Sequence, residues 1–164
     1  VGIVPRGVAG TTISELEEYA ALGFDFVDLY SNVMDARTLS VPGIDKWVAP
    51  KGPHSTEMLE ALVDIGSIDV IEASFLGPAE YGAPLSVSDL AQLKAGLKAI
   101  GSRKPLVLPT DRGLTTEDVP VLVENGVVNL LIGYAVTGNE LGTIAATTER
   151  FRRAVDAAQG GSGA

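Results

Sequence analysis

Three segments of this chain follow one pattern, and that repetition restricts the fold more than any other feature. The segments are ALGFDFVDLY (21–30), DIGSIDVIEA (64–73) and ENGVVNLLIG (124–133). Each reads as the end of a helix, a glycine, and then an apolar run of the kind expected for a buried strand. Gly23, Gly66, Gly101 and Gly126 are separated by 43, 35 and 25 residues, the scale of one β–α unit.

The remaining apolar runs extend this pattern along the chain. We predict strands at Val1–Val4, Phe24–Tyr30, Asp45–Ala49, Asp69–Phe75, Leu106–Leu108 and Val127–Ile132. Helices are predicted after caps at Thr11 or Thr12, Ser55 or Thr56, Ser86 or Ser88, and Thr115 or Thr116, with a last helix at Thr143–Ala158. In the second helix, Met58, Leu59, Leu62 and Val63 are expected to face the core.

Strict alternation of strands and helices predicts a parallel sheet covered by helices. Residues 1–158 are expected to form one β/α domain, and 159–164 read as a flexible Gly/Ser tail. Two architectures remain open. A (β/α) barrel needs eight units and about 250 residues, whereas an open doubly wound sheet forms with five or six strands.

The stretch from 104 to 138 favours the barrel. Its sequence PTDRGLTTEDVPVLVENGVVNLLIGYAV resembles the last two β/α units of the phosphate-binding TIM barrels. That superfamily includes tryptophan-synthase α-type, phosphoribosyl-isomerase and keto-deoxy-phosphogluconate-aldolase-type barrels. The resemblance implies six consecutive units of an eight-unit barrel, with two N-terminal units outside a chain that begins at Val1 rather than at Met.

Charged residues near the predicted strand ends are the candidates for catalysis. Asp28 and Glu72 fall near the carboxyl ends of the second and fourth strands, where a desolvated carboxylate suits a general base. The alternative for Asp28 is a local pairing in the helix layer. Lys51 follows the third strand and could stabilise negative charge or form a Schiff base. His54 is either an acid–base group or a surface residue.

A second group of residues is predicted to hold an anion. Arg6 in PRGVAG and Arg112 in TDRG each follow a strand and a proline, and both could bind a carboxylate or phosphate. Gly113 belongs to the same polar loop as Arg112. After the last predicted strand, the turn Gly133, Tyr134 and Ala135 could offer backbone N–H groups to an oxyanion. Pro78–Tyr81 could form a lid or a subunit contact.

Composition restricts partners and cofactors. The net charge of −9 argues against nucleic acid and anionic membranes as partners. The chain contains no cysteine, which excludes thiolate metal sites. No cofactor is predicted, although Asn32, Asp35 and Asp28 could together form an oxygen-ligand site for Mg²⁺. The expected location is the cytoplasm, and unpaired sheet edges predict a homo-oligomer.

Two functions are compatible with these observations. The first is a TIM-barrel-type lyase, aldolase or isomerase that acts on a small anionic metabolite, either phosphorylated or not. In this hypothesis Glu72 or Asp28 moves a proton, Lys51 stabilises charge, and Arg112 and the Gly133–Ala135 turn hold the anion. The second is a non-catalytic regulatory or scaffold module that acts through oligomer contacts. The sequence contains no specific catalytic motif, which favours the non-catalytic module.

Overall fold

The sheet contains six parallel strands that follow one another in the order of the chain. A computed structural model describes residues 1–5, 11–51, 55–74, 81–138 and 141–160. The strands are β1 (Gly2–Ile3), β2 (Phe26–Tyr30), β3 (Asp45–Ala49), β4 (Val70–Glu72), β5 (Leu106–Pro109) and β6 (Leu130–Leu131). Each strand pairs in parallel with the next one along the chain.

This strand order decides between the two predicted architectures. A doubly wound sheet reverses its strand order at a switch point, whereas the order here runs from β1 to β6 without reversal. The alternative of an open doubly wound sheet is therefore wrong, and the TIM-barrel-like prediction is confirmed as six units of a curled, incomplete barrel.

Local capping interactions explain where the helices begin. The helices are α1 (Ile13–Ala21), α2 (Thr56–Val63), α3 (Val87–Ile100), α4 (Val119–Glu124), α5 (Tyr134–Thr137) and α6 (Leu141–Gly160), with a 3₁₀ helix at Ala36–Ser40. Thr12 and Glu15 form a capping box at α1, as Ser86 and Asp89 do at α3. Within the described residues, no helix combines the length and apolar character required to cross a membrane.

The helices cover one face of the sheet. Val27 and Leu29 of β2 pack with Leu16 of α1 in one buried cluster, and a larger cluster joins Ile71 of β4 to Leu93 of α3. Because side chains alternate along a strand, the residues between these apolar positions face away from the helices. The concave face of the curled sheet therefore receives the side chains of Asp28 and Glu72.

Several local predictions were wrong. Met58 is 52% exposed, so only part of the predicted apolar face of α2 is buried. β4 and β6 are shorter than the apolar runs that predicted them. The helix predicted from Thr115 or Thr116 begins at Val119, because Asp118 accepts hydrogen bonds from the backbone and hydroxyl of Thr115 and closes a separate turn first.

The loop after β5 is tied to the segment that leads into α3. Arg112 is 5% exposed, and its guanidinium donates two hydrogen bonds to Asp89, at 3.1 and 2.8 Å. The Gly113 N–H donates to the carbonyl of Ala83 at 2.9 Å, and the Gly82 N–H donates to the carbonyl of Asp111 at 2.8 Å. Charge and backbone contacts therefore fix the position of this loop.

Replacing Arg112 by methionine should destabilise the chain strongly. The Arg112→Met variant leaves the Asp89 carboxylate buried without its cation, which typically costs about 3–5 kcal/mol. The control is Arg153→Met, which removes an exposed ion pair with Glu149 and should cost no more than about 0.5 kcal/mol. Urea unfolding measures both values, and similar losses in the two variants would contradict a structural role for the buried pair.

Replacing Gly113 by alanine should also destabilise the loop. A Cβ at position 113 would lie 2.4 Å from the Gly82 carbonyl oxygen, so two backbone segments would have to separate. We expect a loss of about 1–3 kcal/mol in the free energy of unfolding. Gly66→Ala is the control, because a Cβ at position 66 meets no atom within 4 Å. Equal stability of the two variants would show that the loops are not held together at Gly113.

Candidate functional site

The pairing of β2, β3 and β4 places two carboxylates on the same face of the sheet, beside a small residue. Asp28 pairs with Trp47, and Tyr30 pairs with Ala49. Val48 pairs with Ile71, so that Ala49 and Glu72 are the next residues in register. Neighbouring strands lie about 4.8 Å apart, and the methyl group of Ala49 leaves the space between β2 and β4 open. Asp28 and Glu72 therefore line one cavity of about 210 Å³.

Asp28 is the most deeply buried acidic group of this cavity. Its exposure is 3%, and neither carboxylate oxygen makes a well-formed hydrogen bond to a described residue. Burial raises the pKa of Asp28, whereas the interaction with Glu72 lowers it. The alternative position in the helix layer is wrong, since Asp28 faces the cavity that Glu72 also lines. A buried carboxylate with unpartnered oxygens is a strong proton acceptor.

Glu72 holds a proton at neutral pH. Burial first, then the interaction with Asp28 and the negative charge of that residue, raise the pKa of Glu72 to about 8. The Ser74 hydroxyl donates to Glu72 Oε1 and acts in the opposite direction. Two carboxyls that share a site disfavour each other's ionisation, and here the effect is largest at Glu72.

Tyr30 belongs to this site, although the sequence did not single it out. It lies on the same face of β2 as Asp28 and lines the same cavity. Burial and the charges of Glu72, Asp111 and Asp28 raise the pKa of Tyr30, so its hydroxyl stays protonated. The ammonium of Lys51 lies 5.5 Å from the centre of the Tyr30 ring, a cation–π distance. Lys51 is exposed at the rim of the cavity.

Asp111, in the loop after β5, is the third acidic group at this edge of the sheet. Burial and the charge of Glu72 raise the pKa of Asp111, and the charge of Arg112 lowers it. Its charge also acts on Tyr30. The alternation of side chains along a strand could have indicated Tyr30, because it lies two residues after Asp28 and therefore on the same face. No local pattern in the sequence marked Asp111 as part of the site.

The predicted anion-binding groups are engaged in other contacts. Arg112 is paired with Asp89, and the Gly113 N–H is bonded to Ala83. The Gly133 N–H donates to the Thr110 hydroxyl at 2.7 Å. Folding already uses these donors, and anion binding by Arg112, Gly113 and Gly133 stays a prediction that requires these contacts to rearrange.

The remaining predicted site residues lie either near the surface or outside the described residues. Tyr134 is 55% exposed and stacks on Tyr81 with ring centres 6.4 Å apart, and Ala135 is half-buried in the single turn of α5. Arg6, His54 and residues 78–80 of the predicted lid lie outside the described residues.

The predicted Mg²⁺ cluster does not form around Asp35. Its carboxylate caps the 3₁₀ helix and pairs with Arg37. Across the described ranges of the chain, no three or more His, Asp or Glu side chains are grouped to hold a metal ion.

A larger cavity of about 460 Å³ lies on the β5–β6 side of the sheet. Its lining is mainly apolar and includes Val107, Leu131 and Phe151. It contains none of the predicted catalytic residues and no carboxylate. We place the candidate site in the smaller cavity, because catalysis requires groups that exchange protons or hold charge.

Comparison with known proteins supports the fold alone. No protein-family model and no curated protein sequence matches this chain. Among solved structures, a candidate fructose-1,6-biphosphate aldolase from Coccidioides immitis has a TM-score of 0.55 at 22% identity, covering 90% of this chain and 61% of that protein. The YdjI aldolase from Escherichia coli K12 has a TM-score of 0.53 at 14% identity, covering 92% of this chain and 63% of the aldolase.

An enolase from Thermobispora bispora, solved with magnesium and formate, has a TM-score of 0.52 at 16% identity, with 90% of this chain and 36% of the enolase covered. The chain thus spans less than two thirds of the length of these proteins. These similarities support membership of the TIM-barrel fold.

The Glu72 carboxyl should make stability depend on pH. A carboxyl whose pKa rises on folding stabilises the native state below its unfolded pKa, and this contribution is lost as pH rises through the folded pKa. For Glu72 the loss falls between about pH 4.5 and pH 8. The melting temperature should fall by about 5 °C or more from pH 6 to pH 9, and Glu72→Gln should remove most of this fall.

The matched control is Glu60→Gln, which changes an exposed residue of α2. It should keep the wild-type dependence on pH. A Glu72→Gln variant with an unchanged slope would show that Glu72 titrates normally and would contradict the raised pKa.

Proposed function

We propose that this chain carries the site of a proton-transfer enzyme of TIM-barrel type, a lyase or isomerase that acts next to a carbonyl group of a small metabolite. The observation that supports this proposal is the pair of buried carboxyls, Asp28 and Glu72, in a cavity at the carboxyl edge of the sheet. Ligands of parallel α/β folds bind at this edge. A cavity of about 210 Å³ restricts the substrate to a small molecule.

The two carboxyls have complementary roles in this proposal. Asp28 is assigned as the base, because its buried oxygens have no well-formed hydrogen bond within the described residues. Glu72 is the acid, because its pKa of about 8 keeps it protonated at pH 7. Two titratable groups whose environments separate their pKa values are the usual arrangement for acid–base catalysis.

The proposed step is enolisation. Asp28 removes a proton from the carbon next to the carbonyl, and the electron pair of that C–H bond forms the carbon–carbon double bond. Glu72 donates its proton to the carbonyl oxygen, which gives a neutral enediol. The pair of carboxyls keeps a single negative charge throughout, so no net charge is created in the buried cavity. Tyr30 can donate a further hydrogen bond to the developing oxyanion.

Enolisation is common to isomerases and to lyases that cleave a carbon–carbon bond beside a carbonyl. Return of the proton to the neighbouring carbon completes an isomerisation. Addition of the enediol to a second carbonyl, or the reverse cleavage, completes an aldol reaction. Lys51 and Tyr30 lie at the cavity mouth, where the second half of the substrate would enter.

The alternative of a non-catalytic scaffold has less support. Burying two carboxyls, of which Asp28 has no well-formed hydrogen bond within the described residues, costs stability, and a module that acts only through its surface gains nothing from that cost. The predicted homo-oligomer remains a prediction for either function.

Exchange of substrate hydrogen for deuterium tests the proposed function. The chain is incubated in D₂O with hydroxyacetone, dihydroxyacetone and dihydroxyacetone phosphate, and proton NMR follows loss of the α-C–H signal. We expect exchange above the buffer rate with at least one compound. Asp28→Asn should reduce this rate by about 10²–10⁴-fold, the usual contribution of a general base.

Glu60→Gln should keep the wild-type rate, and the wild-type rate should fall as pH rises through about 8, where Glu72 loses its proton. Exchange that persists in Asp28→Asn, or a wild-type rate equal to buffer for every compound, would count against the assignment.

A further inference from the structure

A three-residue turn at the end of β4 places the Ser74 side chain beside Glu72. The Ser74 N–H donates to the carbonyl of Glu72 at 2.9 Å, which closes the turn. Ala73, the residue between them, is 1% exposed, and its N–H donates to the carbonyl of Val107 on β5 at 2.8 Å. The sheet therefore fixes the backbone that carries the Ser74 hydroxyl.

The hydroxyl of Ser74 donates to one oxygen of the Glu72 carboxyl, Oε1. A protonated carboxyl has one oxygen that bears the hydrogen and a carbonyl oxygen that is free to accept. Because Oε1 accepts from Ser74, it is the carbonyl oxygen of protonated Glu72, and the hydrogen lies on Oε2. Ser74 does not line the cavity itself, so it acts on a ligand through Glu72.

The other groups around Glu72 are acidic or uncharged. The titratable groups whose charges interact with it are Asp28, Tyr30 and Asp111, and its neighbours in the sheet are Ala49 and Val107. Burial first, and then Asp28, raise the pKa of Glu72, whereas the hydrogen bond from Ser74 lowers it. Ser74 therefore favours the ionised carboxyl in surroundings that otherwise oppose it.

We propose that Ser74 is the positioning residue of the acid: its hydroxyl occupies Oε1 of Glu72 and leaves Oε2 to carry the proton that the substrate receives. This inference rests on the proposed function for the fate of that proton. When Oε2–H gives its proton to the carbonyl oxygen of the substrate, the electron pair of the O–H bond remains on Glu72. The resulting charge spreads over both carboxylate oxygens, and the hydrogen bond to Oε1 stabilises it.

Titration of Glu72 tests this contact without any substrate. Carbon-13 NMR of a chain labelled at its glutamate side-chain carboxyls follows each group with pH, and Glu72→Gln identifies the Glu72 signal by its loss. We expect a wild-type midpoint at about pH 8. The midpoint should lie about one pH unit higher in Ser74→Ala, because the ionised carboxyl loses a hydrogen bond. Ser74→Thr keeps a hydroxyl and should keep the wild-type midpoint.

Deuterium exchange tests the consequence for the reaction. With hydroxyacetone, dihydroxyacetone and dihydroxyacetone phosphate, Ser74→Ala should lower kcat for exchange about tenfold at pH 7 and leave KM unchanged, because the lost bond matters most once Glu72 is ionised. Ser74→Thr should restore kcat. The control is Ser40→Ala, which removes an exposed hydrogen bond to the Arg37 carbonyl and should match the wild type in both measurements. Circular dichroism confirms that each variant is folded.

The outcomes separate this inference from the proposed function. A midpoint that rises in Ser74→Ala and returns in Ser74→Thr, without exchange by the wild type, supports the positioning of the Glu72 proton and counts against the enzyme. Exchange that depends on Asp28, with a wild-type midpoint and kcat in Ser74→Ala, supports the enzyme and overturns the role of Ser74. A rise that persists in Ser74→Thr also overturns it, since the hydroxyl is then not its cause.

Discussion

The cavity that Asp28 and Glu72 share depends on a small residue beside them. Both side chains rise from the concave face of the sheet, on strands that are two apart, and Ala49 on the strand between them is in register with Glu72 and with Tyr30, two residues after Asp28. A larger side chain at position 49 would occupy the cavity that the two carboxyls line. The small side chain at position 49 therefore leaves the space in which two buried acidic residues can influence each other's pKa.

Burial of that pair requires a stable support, and the loop after β5 supplies part of it. Thr110 is 1% exposed, and its hydroxyl accepts from the Gly133 N–H, which connects the carboxyl ends of β5 and β6. Arg112 extends the support to α3 through Asp89. A loop whose sequence resembles an anion-binding loop thus stabilises the fold. Asp111 lies in this loop between Thr110 and Arg112, which are both held by hydrogen bonds.

Local patterns in the sequence were sufficient for the fold. The glycine after each helix, the apolar runs and the caps at Thr12, Ser55 and Ser86 predicted the alternation of elements. The same periodicity located Asp28 and Glu72 near strand ends. These features depend on interactions between residues a few positions apart, so they can be predicted directly from the sequence.

The role of Arg112 could not be predicted in the same way. Its partner Asp89 is 23 residues away and lies in the first turn of α3, where it also caps the helix. The TDRG segment has the residues of an anion-binding loop, but contacts distant in sequence decide whether those donors are available.

The proposed proton transfer also changes which carboxyl carries the negative charge. During enolisation Asp28 gains a proton and Glu72 loses one, so the negative charge moves from Asp28 to Glu72. The Ser74 hydroxyl donates to Glu72 Oε1, and a hydrogen bond to a carboxylate is stronger than one to a neutral carboxyl. The hydrogen bond from Ser74 would therefore be stronger after the transfer than before it. An interaction that strengthens as the reaction proceeds lowers the barrier, whereas equal binding of both states would not.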